Sequence, residues 1–309
     1  MQNHYVAPIE EAPLVAIDQV KTEGKPSNLW IDAWHDVRKR PMFWFSSALI
    51  VLIVLVALFP SWFTAADPRF CELSRSLDGP GDGSVLGYTK QGCDIYARII
   101  YGTSTSLAVG IIVTVLVFVL GIVFGAFAGF YGGWIDSVLS RTGDIFFSIP
   151  YILAAVVIMS VFSEYRSVWI ISLAIGIFAW PSTARVLRAE IFRVKNADYV
   201  MAATAIGVSR FRILVRHVLP NSIAPVIVVT TISLAAAIVA EATLSFLGVG
   251  LPPEIMSWGN DISQAQSDLR VAPQTLIYPS IALSLTVLSF IMLGEVIRDA
   301  LDPKARAQR

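Results

Sequence analysis

Charge is scarce in this chain. Only 15% of its 309 residues are Asp, Glu, Lys or Arg, where a soluble domain carries about 25%. With so little charge the chain cannot clothe a water-facing surface, which argues against a soluble globular enzyme. Basic and acidic residues number 23 each and cancel, so no global positive field invites nucleic acid. Cysteine is scarcer still. Two thiols make neither a disulfide scaffold nor a four-ligand zinc site. Three histidines, His4, His35 and His217, have no partner at ligand spacing, so no metal is expected. The chain also lacks a G-x-x-x-x-G-K-[ST] phosphate loop, an H-E-x-x-H pair, a nucleophile elbow and paired intramembrane aspartates. The sequence therefore offers nothing with which to hydrolyse a nucleotide or a peptide. No internal repeat is visible, so an inverted-repeat secondary transporter has no support.

What the chain has instead is apolar length. Hydrophobic residues make up 55% of it and the mean hydropathy is +0.67. That composition excludes intrinsic disorder. At about 20 residues per crossing it is enough for roughly six membrane spans. Uncharged runs mark them: 41–66, 99–135, 145–163, 167–184, 218–240 and 271–294. The second, at 37 residues, is too long for one straight span and is interrupted by Gly129, Gly132 and Gly133. The expected fold is an all-α polytopic membrane protein with six spans, near 43–64, 102–129, 141–162, 167–185, 221–246 and 275–297. Together they form a transmembrane domain over 43–300, preceded by a cytoplasmic segment 1–42 and followed by a cytoplasmic tail 301–309. External loops are expected at 65–100 and 248–274, and a long cytoplasmic loop at 186–220. Residues 1–40 contain no apolar core of a signal peptide. Leu29, Trp30, Ala33, Trp34 and Val37 form a stripe near 28–40 that predicts an interfacial amphipathic helix on the inner leaflet.

Lys and Arg set the orientation, because they accumulate on cytoplasmic loops. With the N-terminus inside, 17 of the 23 basic residues lie inside, and six spans return the C-terminus to the cytoplasm. The basic loop between spans four and five reads DYVMAATAIGVSRFRILVRHVLPN. Asp198 is a helix N-cap by type. The Ala-rich stretch after it favours helix. Gly207 suits the position after a helix end, where φ is positive. Ser209 can cap a second helix with Phe211, Leu214, Val215 and Val218 on one side. Ala202, Ala203 and Ala205 leave a smooth surface on which another protein could sit. The plain alternative is an amphipathic helix, basic because it is cytoplasmic.

This loop resembles the "EAA" loop of ATP-binding-cassette importer permeases. Ala202, Ala203, Gly207, Leu219 and Pro220 match that motif, while Met201 stands in place of the usual Glu and His217 in place of Ile. Gly129-Phe130-Tyr131-Gly132-Gly133-Trp134, the run 240–253 with Ser257-Trp258-Gly259-Asn260, and Arg298-Asp299-Ala300-Leu301-Asp302-Pro303 are similar to the oligopeptide/dipeptide subfamily. Several separated motifs in order, over about 28–305, are more specific than any one of them. The resemblance implies a type I importer permease in a bacterial plasma membrane, translocating di- or oligopeptides and catalysing nothing itself. It implies a second homologous permease, two ATPase subunits and an external solute-binding protein as partners. ATP and Mg would sit on the ATPase subunits, with no cofactor on this chain. It also implies that Asp198, Met201, Ala202, Ala203, Gly207, Ser209, Arg212, His217, Leu219 and Pro220 form the ATPase-coupling loop. Trp258 and Asn260, with the loop 67–95, would face the binding protein; Trp258 as a membrane anchor is the alternative. A nickel-chelate or glutathione importer of the same family is the runner-up, and a secondary transporter, channel or membrane hydrolase is a more distant rival.

Three further features follow from the residues. Glu241 is an acid in an otherwise apolar run, and an intramembrane acid suggests a translocation pathway. Counted from Asn221 at the inner end it lies roughly 30 Å on, near the outer interface, so pairing inside the bundle is the other option. Gly121, Gly125 and Gly129 recur every four residues and let another helix approach, within this chain or from a partner. Cys71 and Cys93 share the first outside loop, an oxidising location, and are expected to form a disulfide. The topology is tested by Arg212→Cys in a cysteine-free background. It should resist a membrane-impermeant maleimide added to intact cells and react after lysis; labelling from outside would refute the orientation.

Overall fold

A computed structural model of the chain describes residues 29–301 apart from position 82. His4, the first 28 residues and the last two residues of the C-terminal motif lie outside the described part. Among the described residues there are helices and isolated bridges but no strand. Five helices are long and apolar enough to cross a membrane: α2 (Pro41–Leu58), α3 (Ile95–Tyr131), α6 (Val168–Val194), α10 (Ala224–Phe246) and α12 (Gln274–Leu301). A bent pair, α4 (Gly133–Ser148) and α5 (Tyr151–Val161), makes a sixth crossing when taken as one broken span.

Three boundaries differ from the sequence expectation, each for a physical reason. The second span does not break at Gly129. It is one helix of 37 residues, roughly 55 Å long. Its surplus length stands outside the membrane, starting at Asp94, whose carboxylate accepts the Ala97 N–H at 2.9 Å. It ends at Gly132, where φ is +68°. The third span is not one helix. α4 and α5 meet at Ile149–Pro150 with a bend of 76°, because Pro150 has no N–H to continue the ladder and its ring pushes Ile149 out of helical space. The fourth span runs on to Val194, well past the expected inner end at 185. Its basic residues Arg185, Arg188 and Arg193 are thus on a helix rather than in a loop.

α3 and α6 run side by side in the same direction, and glycine sets their spacing. A Cβ on Gly121 would lie 2.6 Å from Thr183 Cγ2, one on Gly125 2.6 Å from the Ala184 carbonyl, and one on Gly129 3.0 Å from the Arg188 carbonyl. The four-residue stripe is therefore an intrachain seam. Without a hydrophobic drive between helices in lipid, such close backbone packing is what holds them together. Outside this seam the outer core gathers Val109, Val113, Met159, Ile171, Ile175 and Leu244 from four helices. The inner core joins Leu187 and Ile191 of α6 to the segment after it.

α1 (Leu29–Val37) is docked on the inner end of α12 rather than lying on lipid by its whole stripe. Ala33 and Val37 pack on Val296 and Ala300, while Trp34 stays exposed. Arg40 Nη1 donates to Asp299 Oδ2 at 2.6 Å beside it, which joins the start of α2 to the end of α12. On the other side of the membrane, residues 59–94 fold into a small module without long helices. Cys71 and Cys93 are bonded through a 2.08 Å S–S link, and bridges join Gly81 to Ser84 and Tyr88 to Asp94. Arg75 Nη1 donates to the Tyr88 hydroxyl at 2.7 Å across the module. A crosslink spanning 22 residues restricts the unfolded loop by about 3 kcal/mol on the chain-entropy account. Non-reducing peptide mapping of the purified protein should recover Cys71 and Cys93 in one crosslinked fragment. Full alkylation of both thiols without reductant would contradict this.

Candidate functional site

The cytoplasmic elbow is built by two short helices on the inner core. α7 (Asp198–Ala205) ends in a two-bond cap: the Gly207 N–H donates to the Thr204 carbonyl at 3.0 Å and the Val208 N–H to the Ala203 carbonyl at 3.1 Å. This closure needs a left-handed residue after the helix, and Gly207 supplies it at φ +83°. A Cβ there would meet no atom within 4 Å, so backbone conformation alone selects glycine. Two sequence expectations shift by one step. The N-cap is Ala197, and Asp198 is the first helical residue, where its charge still complements the helix dipole. Ser209 occupies the N-cap of α8 (Arg210–Ile213), yet its hydroxyl makes no capping bond.

From Arg210 the helical path continues through a π-turn, Leu214–Val218, into α9 (Leu219–Ser222). The wide turn rotates the helix face, so the expected apolar side is wrong in detail. Ile213, Leu214 and Val218 are buried in the inner core, whereas Phe211 and Val215 are exposed. Of the small residues, Ala203 is buried and Ala202 and Ala205 are open. The outer surface of the elbow is apolar and bare: Tyr199, Met201 and Phe211 are exposed, and Ile206 retains 81% of its accessible surface. Arg212 and Pro220 are also exposed, with His217 and Leu219 half-buried.

The outer end of the bundle holds a different arrangement. Glu241 on α10 is fully buried. Ser257 donates to Glu241 Oε1 at 2.8 Å, Ser245 donates to the same oxygen at 3.0 Å, and Ser106 donates to Oε2 at 3.5 Å. Two of these serines hold α11 (Trp258–Ala265) as well. Ser106 accepts the Trp258 N–H, and Ser257 accepts the Asn260 N–H as the cap of α11. A carboxylate with this set of donors is satisfied inside the bundle. The pathway assignment for Glu241 is therefore corrected: it ties α3, α10 and α11 together and faces no open path in this conformation.

Trp258 and Asn260 are corrected for the same reason. Trp258 is 2% exposed, and its indole Nε1 donates to the Ile99 carbonyl at 3.1 Å. Asn260 Nδ2 donates to the carbonyls of Pro252 and Ile255 at 2.9 and 3.0 Å. Neither side chain is available to a partner or to lipid headgroups. They fold the outer loop back into the bundle, where a Cβ on Gly259 would lie 2.5 Å from Ala242 Cα.

Sequence reasoning missed the long-range ion pairs, whose partners lie far apart in the chain. Arg98 Nε donates to Asp261 Oδ1 at 2.8 Å. Burial pushes the Asp261 carboxyl up, against the opposing pull of the Arg98 charge. Lys90 pairs with Asp268 at 3.3 Å, so the disulfide module is linked by charge to the turn that follows α11. At the inner side Arg188 forks onto both carboxylate oxygens of Asp136, and Arg185 Nη2 reaches Asp144 Oδ1 at 2.9 Å. Lys195 Nζ donates to the Gly129 carbonyl at 2.7 Å. These pairs fasten α4 to α6 and the end of α3 to the start of the elbow. Among the described residues no group of three or more His, Cys, Asp or Glu could hold a metal ion.

The chain is an all-helical membrane bundle, closed outside by a folded-back loop and ending inside in a basic helix–glycine–helix elbow. The family described as "Binding-protein-dependent transport system inner membrane component" matches residues 121–307, and "N-terminal TM domain of oligopeptide transport permease C" matches 28–78. The chain is 33% identical over 301 residues to the glutathione transport system permease protein GsiD of Escherichia coli O6:K15:H31, covering 97% of each chain. The same protein from Shigella sonnei is equally similar. A solved structure of the MetNI methionine ABC transporter in an inward-facing conformation shares the fold, with a TM-score of 0.54 and 19% identity over 66% of this chain and 96% of that one. The chain belongs to the binding-protein-dependent transport system inner membrane components: it is a multi-pass permease subunit of an ATP-binding-cassette importer in a bacterial inner membrane. Such a permease works with ATPase subunits and a solute-binding protein.

The burial of Trp258 yields a prediction. Trp258→Ala leaves a cavity among Leu107, Ala235, Ile238 and Phe290 and should cost about 3–5 kcal/mol. Purified Trp258→Ala protein should show a clearly lower melting temperature in detergent. An unchanged melting temperature would return Trp258 to a surface role.

Proposed function

We propose that this chain forms one half of a permease pair that imports short peptides handed over by an external binding protein. Its companions are a second, homologous permease and two ATPase subunits that carry ATP and Mg; this chain binds no cofactor. The single observation that carries the reading is the elbow at Gly207. It offers an exposed apolar surface on the basic, cytoplasmic side, while its buried residues Ile213 and Val218 are locked to Ala126 of α3 and to Leu187 and Ile191 of α6. A push on that surface by an ATPase subunit reaches the membrane helices through packed side chains. The Lys195–Gly129 hydrogen bond and the Arg188–Asp136 fork then pass the motion to α3 and α4. Closure of the ATPase dimer tilts the helices, and the cavity between the two permeases alternates its opening.

Peptide as substrate is supported by the motif resemblance over about 28–305 and by the matching oligopeptide permease family at 28–78. Glutathione, itself a tripeptide with one γ-linkage, is the second reading, favoured by the relatives at 33% identity. Calorimetry on the cognate binding protein separates them: tri-alanine binding without glutathione binding supports the first, and the reverse supports the second.

Gly207→Val tests the coupling role. A β-branched residue at positive φ costs about 1–2 kcal/mol locally, and the two capping bonds that close α7 would be lost or shifted. The membrane core is untouched, so insertion and binding-protein docking should be normal. ATPase subunits should copurify weakly and transport should be lost. Wild-type transport with ATPase subunits retained would make the elbow an ordinary connector.

A further inference from the structure

The break between α4 and α5 opens a cavity that none of the assignments above uses. It has a volume of 310 Å³ and lies where Ile149 and Pro150 interrupt the span, walled by Phe147 and Tyr151 with Phe178 and Ser182 of α6 and Ser233 and Ala236 of α10. Its depth follows from the helices. α5 has 11 residues from the break to its outer end, or roughly 16 Å, which is about half of a hydrocarbon core. Ser182 is exposed there and Ser233 half-buried. Lipid cannot be what fills it. Pro150 has no N–H, the first turn of α5 has no side-chain cap, and open backbone of this kind exists at membrane depth only against protein or a water-filled path.

The cavity continues inward. Pro181 of α6 lines it and also lines a second cavity of 390 Å³, walled by Asp144, Arg185 and Arg188 at the cytoplasmic side. The two cavities adjoin at Pro181, on the helix that leads to the elbow. No Asp, Glu, Lys, Arg or His lines the deeper cavity. Its aromatic walls and serines suit a solute through apolar contact and backbone hydrogen bonding, not through fixed charge.

We infer that the cavity at the Ile149–Pro150 break is this chain's share of the translocation site, and that it takes the uncharged middle of a short peptide. The inference rests on the peptide reading above. Uncharged walls let side chains of different kinds pass, and the charged groups of the second cavity lie beyond, on the release side.

The test uses the complete transporter, with its binding protein and ATPase subunits, in proteoliposomes, with tri-alanine as probe. Ala236→Cys should react with a water-soluble methanethiosulfonate, and more slowly when the binding protein is loaded with tri-alanine than when it is empty. Ala236→Trp should still assemble, while tri-alanine import falls about tenfold or more, because the indole fills the cavity. Reaction of Ala236→Cys only with a lipid-soluble reagent would overturn the proposal, since the cavity would then face lipid. Loss of the second permease from Ala236→Trp would also overturn it, since the cavity would then be filled by that partner. Import by Ala236→Trp at the wild-type rate would remove the cavity assignment and leave the peptide reading standing. If the wild-type transporter imports no tri-alanine, the peptide reading is itself wrong and the site falls with it.

Discussion

Hydrocarbon offers a backbone no hydrogen-bond partner, and the architecture follows from that constraint. Every amide inside the membrane must be paired within its own helix, so the chain crosses as helices. Apolar burial gives no preference for helix against helix over helix against lipid. The bundle is therefore held by close contact and by polar ties. The α3–α6 seam provides the first: at Gly121 and Gly125 a side chain would overlap the neighbouring helix. The ion pairs of Asp136 and Asp144 with α6 provide the second.

The two ends of the bundle solve different problems. Outside, one buried carboxylate organises a loop. Glu241 gathers three serine hydroxyls, and two of those serines also fix the first turn of α11. Losing the acid would leave buried serine hydroxyls without their acceptor, which is why an expensive charge-bearing group is tolerated at that depth. Lys90–Asp268 then brings the disulfide module against the same loop, and Arg98–Asp261 ties that loop to α3. Inside, the elbow keeps its apolar outer surface bare while its other face is locked in the core. That bare apolar surface is what the proposed contact with an ATPase subunit would cover.

Between these ends lies the one irregular crossing. The 76° bend at Ile149–Pro150 gives up backbone hydrogen bonds in the place where they are hardest to replace. The same interruption creates space between α4, α6 and α10 that a straight span would have filled. The cavity that results is walled in part by α6, the helix that continues to the elbow.

The sequence by itself determined the class, the number of crossings, their orientation and the position of the elbow. These depend on composition, on charge asymmetry and on local backbone chemistry: Gly207 caps a helix because of its φ, whatever surrounds it. The motif resemblance reached the family for a related reason, since motifs are local strings. Only the tertiary structure decided the roles of Glu241, Trp258 and Asn260. An acid, an aromatic and an amide in or near a loop read as exposed and functional, and nothing in their neighbours says that serines at 106, 245 and 257 converge on one carboxylate. The break at Pro150 was written in the chain, yet uncharged neighbours on both sides made it look like one continuous span. The pairing of Asp136 with Arg188 spans 52 residues. Such partners are set by how helices pack, and packing is a property of the assembled bundle and not of any segment within it.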